Sequence, residues 1–206
     1  MKISYNDGLI EVGCDEAGRG CLAGPVFAAA VVLPPDYENL SINDSKKLSS
    51  KKRNELREVI QEYALDWAVS SVTNKEIDKI NIQNASILAM HRAIDGLTKI
   101  KPQHILVDGN KFKPYPGGIP HTCIIHGDAT CQSVAAASIL AKTYRDEYME
   151  KLNEQFPQYG WNVNKGYPTQ KHRKAILNYG VTPYHRLTYR LHGSGIQLKL
   201  PIDIKP

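Results

Sequence analysis

Two short apolar runs separated by a glycine-rich segment constrain the fold of this 206-residue chain most strongly. Residues 9–14 and 26–33 are apolar, and the intervening residues 18–25 contain three glycines and a proline. Runs of this length between turn-forming residues predict two β-strands joined by a tight turn. Pro34 and Pro35 end the second strand. The chain is therefore expected to start with paired strands around a sharply turning backbone.

The rest of the chain alternates between helical and extended patterns. Apolar spacing predicts helices over 49–63, 81–99, 133–156 and 169–177, and strands over 65–73, 104–108 and 121–125. Strands that come first and then alternate with helices indicate an α/β fold with a mixed sheet and a helical C-terminal part. Pro157 and Gly160 mark a subdomain edge, so we expect residues 1–158 to form a core and residues 159–206 a C-terminal helical region of one compact unit.

Acidic residues lie at or beside several of these predicted elements. Asp15 and Glu16 follow the first strand, Asp108 closes an apolar strand, and Asp128 precedes the alanine-rich helix that begins near 133. A carboxylate that ends a buried strand is costly unless it is paired or bound to a metal. Without a cluster of histidines or cysteines, such oxygens suit Mg²⁺ or Mn²⁺, and two such ions about 3.5–4 Å apart can hydrolyse a phosphodiester.

Simpler explanations of the same acids stay open at this point. Asp128 is well placed to cap a helix N-terminus, Asp108 with Gly109 is compatible with an ordinary turn, and Asp15 with Glu16 with a solvated pair.

The residues around these acids carry a more specific signal. The segment 13–20 reads GCDEAGRG and is followed by Gly24, Pro25 and the run AAVVLP. Further motifs follow in order: DSKKLS at 44–49, NIQNASILAMHRAI at 81–94, VDG at 107–109, GD at 127–128, AAASILAKTYRD at 135–146, KGYPT at 165–169 and YHR at 184–186. Over roughly residues 9–190 this pattern closely resembles the ribonuclease HII family.

The resemblance implies a ribonuclease H-like fold, with a mixed central sheet flanked by helices and a helical C-terminal subdomain. It implies an endoribonuclease that hydrolyses the RNA strand of RNA–DNA hybrids and nicks duplex DNA on the 5′ side of an embedded ribonucleotide. The products would carry 3′-hydroxyl and 5′-phosphate ends. The implied cofactors are two Mn²⁺ or Mg²⁺ ions, and the implied catalytic and metal-binding residues are Asp15, Glu16, Asp108 and Asp128.

The same resemblance assigns residues to substrate binding. Gly18, Arg19 and Gly20 match the loop that reads the junction backbone and the ribose 2′-hydroxyl, and Tyr167 matches the tyrosine that stacks on the following deoxyribose. The 2′-hydroxyl is what separates RNA from DNA, and close approach of a backbone needs glycine. Substrate contacts are also expected from the matching motifs at Ser45, Lys46, Lys47, His185 and Arg186.

The roles of three further features have alternative interpretations. Without the resemblance, Lys46 and Lys47 would be interpreted as part of a solvated charge cluster that leads into a helix. Asp146 follows the family pattern, either as a structural salt bridge or in support of catalysis. His126 stands where a lysine is expected, which would make activity more sensitive to pH or would be a tolerated surface exchange.

Charge is distributed unevenly along the chain. It has 26 basic and 21 acidic residues, a net charge of +5, but residues 1–158 hold 18 basic and 20 acidic residues. Residues 159–192 hold six lysines and arginines, no acidic residue, and several interleaved aromatics. That mixture suits a nucleic-acid backbone, although a solvated helix face has a similar composition. We expect residues 159–206 to bind substrate and residues 1–158 to hold the metals.

Other classes of protein are disfavoured. Cys14, Cys21, Cys123 and Cys131 form no Cys-x-x-Cys pair, which indicates reduced thiols and not a zinc site. The sequence has neither a secretory signal nor a run of about 18 apolar residues. We expect a cytoplasmic monomer without membrane contact, whose partners are RNA–DNA hybrids and DNA duplexes that contain ribonucleotides.

Two rival functions are considered. A ribonuclease HIII-like enzyme would carry an extra N-terminal domain, for which we expect no room because the DEAGRG element begins within the first 15 residues. A non-catalytic RNA–DNA hybrid binding module would be expected to have lost at least one of the four acids, and all four are present.

Overall fold

A five-stranded mixed sheet forms the centre of the computed structural model, which describes residues 2, 4–6, 8–39, 42, 45 and 48–190. The strands are β1 (Glu11–Ala17), β2 (Val26–Val32), β3 (Asp66–Val72), β4 (His104–Asp108) and β5 (His121–Ile124). Their order is β3-β2-β1-β4-β5. β2 is antiparallel to β1 and β3, whereas β4 is parallel to β1 and β5. The predicted mixed sheet is thereby confirmed.

Seven helices and a short 3₁₀ turn are described around this sheet. They are α1 (Ser50–Tyr63), α2 (Asn74–Ile80), α3 (Ile82–Asp95), α4 (Gly127–Thr130), α5 (Gln132–Gln155), the turn Pro157–Tyr159, α6 (Trp161–Asn164) and α7 (Gln170–Tyr179). Ser49 caps α1 and Thr169 caps α7, each by accepting a hydrogen bond from a first-turn amide. The part of the C-terminal region within the described residues is helical, as predicted.

Three of the differences from the sequence prediction concern β1, α2 and α3. β1 continues to Ala17, so Asp15 and Glu16 lie within the strand. The unpredicted helix α2 starts at a capping box between Thr73 and Glu76. The helix predicted from residue 81 ends at Asp95, because Gly96 follows as its C-cap.

The two faces of the sheet are covered by different helices. Val12 and Cys14 face the cluster that contains α3, whereas Ala17, Ala29 and Val31 belong to the cluster formed with α1 and α5. The alanines of α5 are fully buried, and their small side chains permit a close approach to the sheet. At Gly13 a side chain would collide with the backbone of Ser133. α5 therefore lies directly against the strand that carries Asp15.

The C-terminal region packs onto one end of this core. Tyr159, Trp161 and Ile176 share an apolar cluster with Leu22 in the glycine-rich segment and Met149 in α5. Residues 191–206, which the sequence analysis assigned to the same region, lie outside the described residues. Within the part of the chain that is described, no helix has the length and apolar character needed to cross a membrane.

Candidate active site

Three carboxylates meet where β1, β4 and α4 come together. Asp15, Asp108 and Asp128 each offer one oxygen, and these oxygens lie within 4.8 Å of one another. The parallel register pairs Cys14 with Val107, so the next residues of β1 and β4 are the two aspartates. The amide of Gly127 donates to Asp108 Oδ1 at 2.8 Å, which holds the start of α4 and therefore Asp128 beside the strands. Parallel strands thus build the cluster that the sequence predicted at their ends.

The surroundings of Asp15 make this cluster electrostatically demanding. Only 5% of Asp15 is exposed. Burial is the main cause that raises the pKa of its carboxyl well above the usual range, and the charges of Glu16 and Asp108 add to it. The Ser138 side chain and the Glu16 amide, which donates at 2.7 Å, oppose that rise. Clustered carboxylate oxygens of this kind fit a hard divalent cation, which would offset their mutual repulsion.

Glu16 lies beside the three aspartates on the other face of β1. Neighbouring residues of a strand point to opposite faces, and Glu16 is still inside β1 because the strand continues to Ala17. Arg19 Nη1 donates to Glu16 Oε1 at 3.0 Å. Glu16 therefore reaches the site from its rim, and the glycine-rich turn begins after Ala17, at Gly18.

A cleft of about 400 Å³ contains most of the predicted site residues. It is lined by Asp15, Glu16, Ala17, Gly18, Arg19, Gly20, Ser45, Arg53, Asp108, Ser138, Lys142 and Tyr167. Asp128 lies behind it in the carboxylate cluster, and only 3% of it is exposed. Lys46 and Lys47 fall outside the described residues. The structure thus brings the acids, the glycine loop and Tyr167 to one place.

The loop formed by Gly18, Arg19 and Gly20 turns sharply at the mouth of this cleft. Gly18 has a φ of +97°, a conformation that favours glycine. Arg19 and Gly20 are exposed, and a side chain at Gly20 would meet open space. The loop can therefore approach a substrate backbone closely.

Tyr167 forms part of the wall of the cleft. It is 37% exposed, and burial of the remainder raises the pKa of its hydroxyl. Lys142 Nζ lies 5.5 Å from its ring centroid. A partly exposed ring next to a lysine suits contact with a sugar and its phosphate.

His185 and Arg186 occupy the interior, in contrast to the direct substrate contact expected of them. The Arg186 guanidinium is fully buried and donates to the carbonyls of Gly18, Arg19 and Gly24 at 2.7–3.0 Å. His185 Nδ1 accepts from the Thr182 amide at 2.8 Å. Burial lowers the pKa of His185 to about 3, so this imidazole is neutral. Sequence reasoning identified these residues but not the direction of their side chains. Arg186 bonds the loop, whereas the His185 side chain bonds Thr182.

Besides Ala17, three residues that line the cleft were not predicted, namely Arg53, Ser138 and Lys142, and the unpredicted Arg145 lies against the neighbouring Gly18. Ser138 Oγ lies 2.9 Å from Ser45 Oγ in the cleft. Ser138, Lys142 and Arg145 follow one another at spacings of four and three along α5, which places them on one side of the helix. That spacing is visible in the sequence and is the signal by which they can be found.

Two positions left open by the sequence now have defined surroundings. Asp146 forms ion pairs with Lys142 at 2.6 Å and with Arg53 at 3.4 Å. It therefore links α5 to α1 as a structural salt bridge beside the cleft. His126 is exposed and has a φ of 57° at the residue before α4.

Comparisons with known proteins identify the family of this chain. The sequence model of the family described as ribonuclease HII matches residues 12–192. Ribonuclease HII of Bacteroides fragilis is 65% identical over 195 residues, which cover 95% of this chain and 96% of that protein. Ribonuclease HII of Porphyromonas gingivalis is 57% identical over 185 residues, covering 90% of this chain and 91% of that one.

Solved structures show the same fold. Ribonuclease H2 from Pyrococcus horikoshii superposes with a TM-score of 0.74 at 28% identity, covering 88% of this chain and 94% of that one. Bst-RNase HIII, solved in complex with Mn²⁺, has a TM-score of 0.62 at 21% identity, covering 84% of this chain and 63% of that one. The family match and the extensive identity decide between the ribonuclease H families. The chain belongs to the ribonuclease HII family.

Proposed function

We propose that this member of the ribonuclease HII family, an endonuclease of the ribonuclease H type, nicks duplex DNA on the 5′ side of an embedded ribonucleotide and also cuts the RNA of RNA–DNA hybrids. The products would carry 3′-hydroxyl and 5′-phosphate ends. The observation that carries this proposal is a single cleft that joins three things: the aspartate cluster, the Gly18–Gly20 loop with its exposed Arg19 and Gly20, and the Tyr167 ring. A carboxylate cluster alone is common to many metal sites, whereas the loop and the Tyr167 ring would also contact the sugars of a nucleic acid.

Asp15, Asp108 and Asp128, with Glu16 at their rim, would hold two Mn²⁺ or Mg²⁺ ions. The donor set supports this, since it consists of oxygens only and lies within 4.8 Å. When bound, such ions activate water and stabilise a leaving oxygen. Ser138 would keep Asp15 oriented toward the cleft, because it hydrogen-bonds that carboxylate. The presence of Mn²⁺ in Bst-RNase HIII supports the class of ion.

Recognition of the junction would come from the loop and the ring. The exposed backbone of Arg19 and Gly20 can approach the ribonucleotide, and its 2′-hydroxyl is the group that distinguishes RNA from DNA. Tyr167 would pack against the next sugar, where the absence of a 2′-hydroxyl permits close contact. Lys142 beside the ring would pair with a phosphate.

The C-terminal region would supply duplex affinity. Lys171, Lys174 and Arg190 are exposed there, and none of the ion pairs within the described residues involves them. Such side chains bind phosphates without reading sequence. We propose residues 159–206 as the substrate-binding region and residues 1–158 as the catalytic core.

We also propose that the protein acts as a cytoplasmic monomer. The four cysteines form no disulfide, which suits a reducing compartment. Light scattering of the purified protein with and without duplex tests the monomer.

The decisive experiment uses a labelled DNA duplex with one ribonucleotide, incubated with and without Mn²⁺. We expect nicking only with the metal, at the 5′ side, and an upstream product that a polymerase can extend because it ends in a 3′-hydroxyl. Asp108→Asn should abolish nicking but retain binding, whereas Asp95→Asn, a control aspartate bonded to Tyr115, should cut normally. Absence of metal-dependent nicking by the unaltered protein overturns the proposal.

A further inference from the structure

Arg145 is a fully buried guanidinium in the middle of α5. Arginine does not lose its charge in proteins, and a buried charge normally pairs with an opposite one. Here the partners are backbone carbonyls: Nε donates to Pro25 at 3.2 Å, Nη2 to Ala23 at 3.3 Å and Nη1 to Lys165 at 2.8 Å. No carboxylate among the described residues pairs with it. Burial of this charge costs free energy, which indicates that Arg145 is needed to hold the backbone segments it bonds.

One arm of Arg145 supports the glycine loop. A side chain at Gly18 would collide with the Arg145 guanidinium, so the loop lies in direct contact with that group. The bonds to Ala23 and Pro25 hold the returning end of the same segment. Because the carbonyls of Ala23 and Pro25 accept hydrogen bonds from the guanidinium, Arg145 fixes the path of the backbone after the loop.

The other arm holds the segment that carries Tyr167. The Lys165 carbonyl bonded by Arg145 lies two residues before that tyrosine, and the guanidinium carbon is 5.6 Å from the tyrosine ring centroid. The amide of Leu22 also donates to the Gly166 carbonyl at 2.8 Å. Loop and ring are therefore joined through one rigid planar group, and their separation depends on it.

We propose that Arg145 is a positioning residue that sets the distance between the Gly18–Gly20 loop and Tyr167, and so determines the preference for a ribonucleotide followed by a deoxyribonucleotide over continuous RNA. This inference rests on the proposed function, in which the loop reads one sugar and the ring reads the next. The loop and the Tyr167 ring can select a junction only if the distance between them matches the spacing of two consecutive sugars. A shift of roughly 1 Å in such a site is enough to lower a rate about a hundredfold.

The experiment compares kcat/KM on two substrates, a duplex with one ribonucleotide and a hybrid with a continuous RNA strand. Arg145→Lys keeps the charge but loses the fork of donors. We expect it to lower the ratio of junction to hybrid cleavage about tenfold or more, because misplacement affects the junction most. Arg57→Lys on α1, whose guanidinium pairs with Glu147 away from the cleft, should keep the ratio.

Gly166→Ala provides an independent variant that leaves Arg145 intact. A methyl group there would press on the Ala23 carbonyl at 2.6 Å and widen the same spacing, so the ratio should again fall. In Tyr167→Ala the ratio should be low already, and adding Arg145→Lys should change it little further, since the two then act as one unit. Thermal melting identifies which variants are folded.

The outcomes separate the two proposals. If the unaltered protein fails to nick the single-ribonucleotide duplex, the proposed function fails. If it nicks that duplex but folded Arg145→Lys or Gly166→Ala retains the ratio, or loses both activities in parallel, the positioning role of Arg145 is overturned.

Discussion

Two groups of buried or partly buried side chains with opposite charge lie around the cleft, and we call them its acidic side and its arginine side. The acidic side consists of Asp15, Asp108 and Asp128, whose oxygens crowd within 4.8 Å. The arginine side consists of Arg145 and Arg186, whose guanidiniums donate to carbonyls of the glycine-rich segment and its neighbours. Carboxylates repel one another there, whereas each guanidinium is surrounded by dipoles that point their negative ends at it.

This difference predicts which side binds a ligand and which side stabilises the fold. The acidic side holds a repulsion that only a proton or a cation can offset, so its arrangement favours binding over stability. The arginine side is satisfied by the fold itself, so its arrangement favours a fixed shape. Substitutions on the two sides should therefore have opposite consequences for function and stability.

Asp15→Asn should have the largest effect and tests the acidic side. Loss of one metal-holding carboxylate should lower kcat on the order of a thousandfold, while the metal-free protein melts no lower than before because repulsion is relieved. Single-turnover nicking and calorimetry measure both. Asp66→Asn is the matched control: that buried aspartate accepts amides of Lys99 and Ile100, so its loss should reduce stability and leave nicking intact. A metal-free Asp15→Asn protein that melts well below the original contradicts the comparison.

Arg186→Gln tests the arginine side. It should lower the free energy of unfolding by about 3 kcal/mol, because buried carbonyls of Gly18, Arg19 and Gly24 lose donors. Urea denaturation measures this change. Arg190→Gln, at an exposed position, should be close to neutral. A loss as small as that of Arg190→Gln would show that the buried guanidinium is not needed to hold the loop.

Metal addition should stabilise the protein through the acidic side alone. At a Mn²⁺ concentration about 100 times the Kd, binding to the folded state adds about 2.7 kcal/mol. Thermal melting should rise with Mn²⁺ in the unaltered protein and in Arg190→Gln, and stay constant in Asp128→Asn. An equal rise in Asp128→Asn would place the ion elsewhere.

The effect expected to be smallest near neutral pH concerns the buried His185 of the C-terminal region. Burial lowers the pKa of His185 from 6.5 to about 3, so between these values the unfolded chain binds more protons than the folded one. Stability should therefore be complete above pH 6.5 and fall as the pH drops toward 3, by at most about 1.4 kcal/mol per pH unit. His185→Asn, which keeps an acceptor for the Thr182 amide, should show a shallower decline in urea titrations. Identical slopes would exclude His185 as the cause.

Sequence reasoning located the acidic side because its signal is local. An acid at the end of an apolar strand, as at Asp108, is visible in a few consecutive residues, and the sheet then brings such ends together. The arginine side was less accessible. Arg186 was recognised as important, but its burial depends on contacts with residues more than 150 positions away, which no local pattern contains.

Two other features that were not predicted, helix α2 and the buried Arg145, can be recognised in the sequence. Helix α2 begins with Thr73 and Glu76 in the spacing of a capping box, yet its seven residues are too short for an apolar period to emerge. Arg145 lies on the same stripe of α5 as the buried Ala141 and Met149. A charged residue inside a buried stripe is the pattern that predicts a role within the fold.

The contact between Gly13 and Ser133 has a consequence for how the enzyme can change. With no room for a side chain there, α5 cannot slide along β1, and the same helix carries Ser138 beside the carboxylates and Arg145 beneath the loop. Under the proposed function, this one helix positions both the metal-binding carboxylates and the loop that reads the sugar. We therefore expect substitutions at Gly20 or Tyr167, which line the cleft, to change substrate preference more readily than substitutions in α5.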